Sequence, residues 1–153
     1  MTPRSQNRVA ILHGVNFDVL ERRDPSLYGG ISLSELEYRI SGWANECGLE
    51  ASFFQTNSEA EFCGYLHRLS SVADGALINA GAWTHYSRAI GDAFAVDPVP
   101  TVEVHLSDVE AREEWRKVSV FEGLVQDRVF GLGIDGYREA LNRLADLLGI
   151  AGE

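Results

Sequence analysis

The sequence predicts an α/β fold in which a parallel β-sheet carries helices on both faces. Three observations predict it: short apolar runs closed by glycine or polar residues, amphipathic helical stretches between them, and a regular alternation of the two along the chain. Parallel neighbours need crossover connections, and the helices supply them.

The first run, RVAILHG, reads as a buried strand ending at His13 and Gly14. The segment ERRDPSLYGG, residues 21–30, has little apolar material to bury and is expected as an exposed, mobile loop. In SELEYRISGWANECG, Ser34 and Glu37 have capping-box spacing, Leu36, Ile40, Trp43 and Cys47 recur at helical intervals, and Gly48 is a stop signal. LEASFFQ is the second strand, and SEAEFCGYLHRLSSV a second helix in which Ser58 and Glu61 repeat the capping-box spacing. GALINAG is the third strand, followed by a helix through SRAIGDAF. VPTVEVHLS alternates after Pro100 as the fourth, LVQDRVFG serves as the fifth, and a last helix runs from Tyr137 to Leu148. Repeats, low-complexity tracts and linkers are absent, so residues 1–153 are expected to form a single domain. Five strands fit a flavodoxin-like order, 2-1-3-4-5, which places ligands beyond the carboxyl ends of the strands. Those ends are His13-Gly14-Val15-Asn16 with the arginine loop, Asn79 to Ser87, His105-Leu106-Ser107, and the glycines from Gly131.

With 45% hydrophobic residues the chain can bury a sizeable core. A formal charge of −10 argues against neutralising nucleic-acid phosphates. A small anionic ligand therefore needs locally placed cations, and of the 13 basic residues all but Lys117 are arginine. Planar, permanently charged clamps are favoured over titratable amines. Cys47 and Cys63 lack metal or redox spacing and no signal peptide precedes them, so reduced thiols in the cytoplasm are expected. No apolar run approaches the roughly 18 residues of a membrane span.

Chemistry-bearing side chains gather at the strand ends. Tyr28 stands in the same short segment as Arg22 and Arg23, and a phenol held near guanidinium groups ionises more easily; the plain alternative is that Tyr28 only covers the loop. Glu103 and His105 are two apart on a strand and point to one face, so the carboxylate can orient an imidazole for general acid work or make a structural hydrogen bond. NAGAWTHYS offers Asn79, His85, Thr84 and Ser87 around a turn, with helix capping by Thr84 as the alternative to binding. Arg112 and Arg116 share a face if their segment is helical, or pair with acids such as Glu113. GLGIDG matches a dinucleotide-binding spacing, but the acidic residue and further strand that such a unit needs about 20 positions on are missing. Its glycines read as turn and packing residues. A metal held by His85, His105 and Glu103 lacks any supporting spacing.

Four segments in order, HGVNFDVLERRDPSLYGG, INAGAWTHYS, VEVHLSDVEAREEWR and GLGIDGY, together resemble the type II 3-dehydroquinate dehydratases over nearly the whole chain. The resemblance implies reversible trans elimination of water from 3-dehydroquinate, giving 3-dehydroshikimate, without metal, nucleotide or Schiff base. By position, Tyr28 resembles the family's tyrosinate base and Arg23 the arginine that eases its ionisation. Asn16 resembles the residue holding a water against the developing enolate oxygen. His105 resembles the general acid, positioned by Glu103. Asn79, His85, Arg116 and the backbone amides of Leu106 and Ser107 match substrate-binding positions, and Arg112 lies on a motif position without a defined role. Asp92 matches a residue that reaches a neighbouring subunit, since such enzymes assemble as dodecamers built from trimers. The chain departs from the family at Val15, where proline is usual, at Phe17-Asp18, where Leu-Asn is common, at Glu21, where glycine is usual, and in KVSVFEG. These departures leave loop stiffness and substrate preference open. The contrasting reading is a flavodoxin-like module that binds an acidic metabolite without catalysis.

Overall fold

The computed structural model describes residues 6–150; the remaining residues of the expected 1–153 domain lie outside the described residues. Strands β1 (Arg8–His13), β2 (Glu50–Gln55), β3 (Gly75–Asn79), β4 (Thr101–His105) and β5 (Asp127–Phe130) form one sheet in the order β2-β1-β3-β4-β5, every pair parallel. This is the flavodoxin-like topology expected. The helices are α1 (Pro25–Tyr28), α2 (Leu33–Glu46), α3 (Glu59–Leu66), α4 (Leu69–Val72), α5 (Arg88–Val96) and α6 (Asp135–Leu147).

Each face of the sheet builds its own core. On one, Val9, Ile11, Leu77, Val102, Val104 and Val129 pack against Leu36 and Ile40 of α2 and Leu141 and Leu144 of α6. On the other, Ala10, Leu12, Ala76 and Ile78 pack against Phe62 of α3, Leu69 of α4 and Ile90 and Phe94 of α5. A strand covered on both sides must be apolar at both alternating sets. That is why β1 and β3 read as unbroken apolar runs. β4 is the exception: it is wholly buried, yet Thr101, Glu103 and His105 occupy its second-core face.

Several expectations are corrected. Helix α2 begins two residues early, with Ser32 rather than Ser34 as its cap, the Ser32 Oγ accepting from the Glu35 amide at 3.1 Å. Ser32 and Glu35 have the same spacing as Ser34 and Glu37, and the earlier start lets Leu33 pack on the core. The Ser58 cap is as expected, but the helix it opens divides in two at Arg68, whose backbone leaves the helical region at φ −124°, ψ 21°, and Leu69 just after it is fully buried. Residues 21–30 are largely exposed, as expected, with short helical turns within and before them. A 3-10 turn over Phe17–Arg22 leads into α1, where Asp24 accepts from the Ser26 amide and Pro25 occupies the first turn. Thr84 caps no helix; Ser87 caps α5, and the buried Thr84 hydroxyl has no hydrogen-bond partner among the described residues. Arg112 and Arg116 do not share a helix, because extended backbone at Arg112 separates 3-10 turns at Val109–Ala111 and Glu114–Lys117.

The carboxyl ends of β1, β3 and β4 meet at one edge of the sheet, with His13 level with Asn79. A Cβ on Gly14 would lie 2.2 Å from the Ala80 carbonyl oxygen, so only glycine lets β1 and β3 end this close together. Among the described residues, no helix is long and apolar enough to cross a membrane.

Candidate active site

A cavity of about 30 Å³ opens at these strand ends. Tyr28 closes one side, carried there at the end of α1 before Gly29 turns into the left-handed region at φ 84°. Two guanidinium groups donate to its hydroxyl: Arg23 Nη2 at 2.9 Å and Arg112 Nη1 at 2.8 Å. The Arg23 guanidinium also lies over the Tyr28 ring, 3.9 Å from its centre. Arg22, one residue earlier, is exposed. Arg112 reaches on to the Ser107 hydroxyl at 3.2 Å, tying the phenol to the end of β4. Charge-assisted hydrogen bonds favour an anionic oxygen over a neutral one. The phenol oxygen therefore sits where a phenolate is best stabilised.

His105 lines the same cavity. Its Nε2 is 2.6 Å from Glu103 Oε2, which leaves Nδ1 as the ring nitrogen for proton exchange with a bound molecule. Glu103 is 1% exposed and has both oxygens engaged, Oε1 accepting from Ser119 Oγ at 2.7 Å and Oε2 also from Arg128 Nε at 3.1 Å. Burial pushes its carboxyl pKa up, but the His105 and Ser119 hydrogen bonds and the Arg128 charge outweigh burial and hold it below the ordinary value. The His85 ring stacks on His105 with centres 5.8 Å apart, its Nδ1 donating to the Val118 carbonyl at 2.8 Å. Burial, with the charges of His105 and Arg116, lowers the His85 pKa against the pull of that carbonyl. His85 is thereby a neutral ring that presents Nε2 as an acceptor.

Of the predicted residues, the cavity brings together Arg23, Tyr28, Asn79, His85, His105, Leu106, Ser107, Arg112 and Arg116. Glu103 stands behind His105. Asn16 does not line the cavity; it is exposed, held at φ 74° with its amide donating to Asn57 Oδ1, immediately before Phe17, which does line it. Asp92 is exposed on α5, in a separate depression with Arg88 and Val118. Arg116 pairs with Glu113, as the plainer reading allowed, while keeping its place in the cavity wall. The glycines of GLGIDG act through their backbone: Gly131 and Gly133 amides donate to the Ser107 and Leu106 carbonyls, fixing that turn. Among the described residues, no three His, Cys, Asp or Glu side chains gather to hold a metal ion.

Other supporting groups escaped the sequence. Tyr137 is 1% exposed and its hydroxyl accepts from Asn79 Nδ2 at 3.2 Å and meets His13 Nε2 at 2.8 Å, while Asn79 Oδ1 accepts from the Gly81 amide. These bonds set the direction of the Asn79 amide. The signal was present, since His13 and Asn79 both end strands, but their meeting with Tyr137 depends on how α6 packs. KVSVFEG is likewise structural: Phe121 is fully buried, Ser119 grips Glu103 and the Val118 carbonyl holds His85.

Fold and site together define an enzyme of the open α/β class, with a guanidinium-held phenol and a carboxylate-held imidazole lining one arginine-lined cavity. Comparison with known proteins narrows the class. The sequence model of the family described as "Dehydroquinase class II" matches residues 7–145. The chain is 44% identical over 142 residues to the 3-dehydroquinate dehydratase of Syntrophotalea carbinolica, covering 92% of this chain and 96% of the relative, and 40% identical to that of Pelobacter propionicus, covering 95% and 99%. The structure of type II dehydroquinase from Propionibacterium acnes superposes with a TM-score of 0.86 at 36% identity, covering 95% of this chain and 99% of that one. The chain belongs to the class II dehydroquinase family.

Proposed function

We propose that this dehydroquinase converts 3-dehydroquinate reversibly into 3-dehydroshikimate by trans loss of water through an enolate. Tyr28, as phenolate, takes the proton from the carbon next to the ketone, and the electron pair passes to the ketone oxygen. Asn16, exposed just before the cavity-lining Phe17, has to turn inward in this reading to hold a water against that oxygen as charge develops there. The enolate then re-forms the ketone and expels the hydroxyl, which leaves as water with the proton of His105 Nδ1. Proton return from Tyr28 to His105, through bound or bulk water, completes the cycle. Asn79, His85, Arg116 and the Leu106 and Ser107 amides bind the ring hydroxyls and carboxylate. No step calls on a metal or organic cofactor.

The observation that carries this reading is the convergence of Arg23 and Arg112 on the Tyr28 hydroxyl, in the same cavity as the Glu103-supported imidazole. Binding alone does not call for both a supported base and a supported acid in one cavity. In this reading residues 21–30, which carry Tyr28 and end in Gly29 and Gly30, both at positive φ, act as a lid that closes over the bound substrate. Residues 1–153 act in this reading as one catalytic domain, assembled as a dodecamer of trimers with Asp92 directed to a neighbouring subunit. The same step serves aromatic biosynthesis and quinate breakdown.

The test is ultraviolet detection of the conjugated enone formed from 3-dehydroquinate. The parent enzyme produces it, while Tyr28→Phe abolishes turnover and retains ligand binding. Full turnover by Tyr28→Phe removes the proposed base, and no turnover by the parent enzyme leaves only the binding-module reading. Light scattering reads the assembly.

A further inference from the structure

Arg128 belongs to β5, which supplies nothing to the cavity wall, yet its side chain enters the catalytic machinery from behind. Glu103 and Arg128 are register partners across the β4–β5 ladder, so their side chains leave the sheet on the same side. Arg128 Nε donates at 3.1 Å to Glu103 Oε2, the same oxygen that holds His105 Nε2 at 2.6 Å. Two cationic groups thus share one carboxylate oxygen, one permanently charged and one charged only when protonated. Arg128 is 24% exposed, with Nη1 reaching Glu110 at 3.7 Å and Nη2 buried without a hydrogen-bond partner among the described residues.

A buried carboxylate is costly unless a cation balances it. With His105 as its only counter-charge, Glu103 would grip the imidazolium, and each loss of the proton would strand a buried anion. A fixed guanidinium on the same oxygen changes that balance. We propose that Arg128 is a positioning residue of the reaction: it carries the counter-charge of Glu103, so that His105 gives up its proton to the departing hydroxyl and regains it without stranding that carboxylate. Other charges face the pair. His85 and Arg116 lie on the substrate side, while Glu110, Lys117, Glu122 and Asp127 surround the outer opening beside Arg128. The outer set is three acids and one lysine, which cannot replace the positive charge of Arg128.

The inference rests on His105 being the general acid, and the experiment separates the two ideas. Arg128→Gln keeps an N–H donor and loses the charge; Arg128→Lys keeps the charge. The kcat and KM of both, and of the parent, are followed against pH by enone absorbance, with thermal melting as a check on folding. For Arg128→Gln the expected result is roughly tenfold lower kcat near neutral pH, little change in KM, and a basic limb of the kcat profile moved up by about one pH unit as Glu103 tightens on the imidazolium. Arg128→Lys restores most of the parent profile. In a His105→Gln background, Arg128→Gln adds nothing further. An unmoved basic limb in a folded Arg128→Gln enzyme overturns the proposal, as does an equal loss with or without His105. Should Arg128→Gln not fold, Arg128→Lys decides: a near-parent limb supports the role and a displaced one overturns it. Unchanged kcat in His105→Gln alone defeats the underlying assignment of the acid instead.

Discussion

Arg112→Met isolates the second cation on the phenol. Arg112 Nη1 makes the 2.8 Å bond to the Tyr28 hydroxyl and the 3.2 Å bond to Ser107, and methionine keeps much of the side-chain volume while removing both. A hydrogen bond from a charged donor contributes about 1.5–3 kcal/mol, and the partial exposure of Arg112 argues for the lower half of that range. If the bond is fully expressed in the step that uses the phenolate, about 1.5–2 kcal/mol corresponds to a roughly 10- to 30-fold fall in kcat. Enone absorbance under saturating substrate measures it. The deficit should shrink as pH rises, because solution hydroxide then supplies the ionisation that the missing charge no longer favours. An unchanged kcat with a raised KM would refute the reasoning, since it would make Arg112 a substrate clamp with no part in supporting the base.

His13 carries a pH-dependent stability. Burial lowers its pKa to about 3, so the folded protein holds it neutral while the unfolded chain protonates it below the ordinary value of about 6.5. Its contribution is intact above that value and is lost as pH falls toward about 3, at about 1.4 kcal/mol per pH unit. Urea unfolding between pH 6.5 and pH 5 should show the parent losing about 2 kcal/mol from this group, a slope that His13→Gln removes. Gly14→Ala places a methyl against the Ala80 carbonyl and should cost about 3 kcal/mol or more, read as a lowered denaturation midpoint or as insoluble protein. Ser87→Ala removes the α5 cap and its bond to Glu59, for an expected loss of about 1–2 kcal/mol in the same assay with kcat unchanged.

The sheet was legible because β1 and β3, buried on both faces, have to be written as apolar runs, and the helices between them as amphipathic repeats. Cap choice was less so. Ser32 and Ser34 each stand three residues before a glutamate, and packing of Leu33 on the core decides between them. The break at Arg68 has no glycine or proline to mark it. Tyr28, Arg23 and the Glu103–His105 pair could be read locally, since each contact lies within five residues. Arg112 reaches Tyr28 over 84 positions and Arg128 reaches Glu103 over 25, and such meetings are fixed only by the turn after β4 and by strand register. His13 is legible only as the end of a strand, because its partner Tyr137 comes from the far end of the chain.

The account stands on Tyr28 being a phenolate in the working enzyme, and near-ultraviolet difference spectroscopy observes that species directly. Of the 5 tyrosines, Tyr137 and Tyr65 have pKa values pushed up by burial and stay silent near neutral pH. Between the parent protein and Tyr28→Phe, the predicted difference is one tyrosinate band at neutral pH, growing in step with the acidic limb of kcat. Superimposable spectra across that range would contradict it.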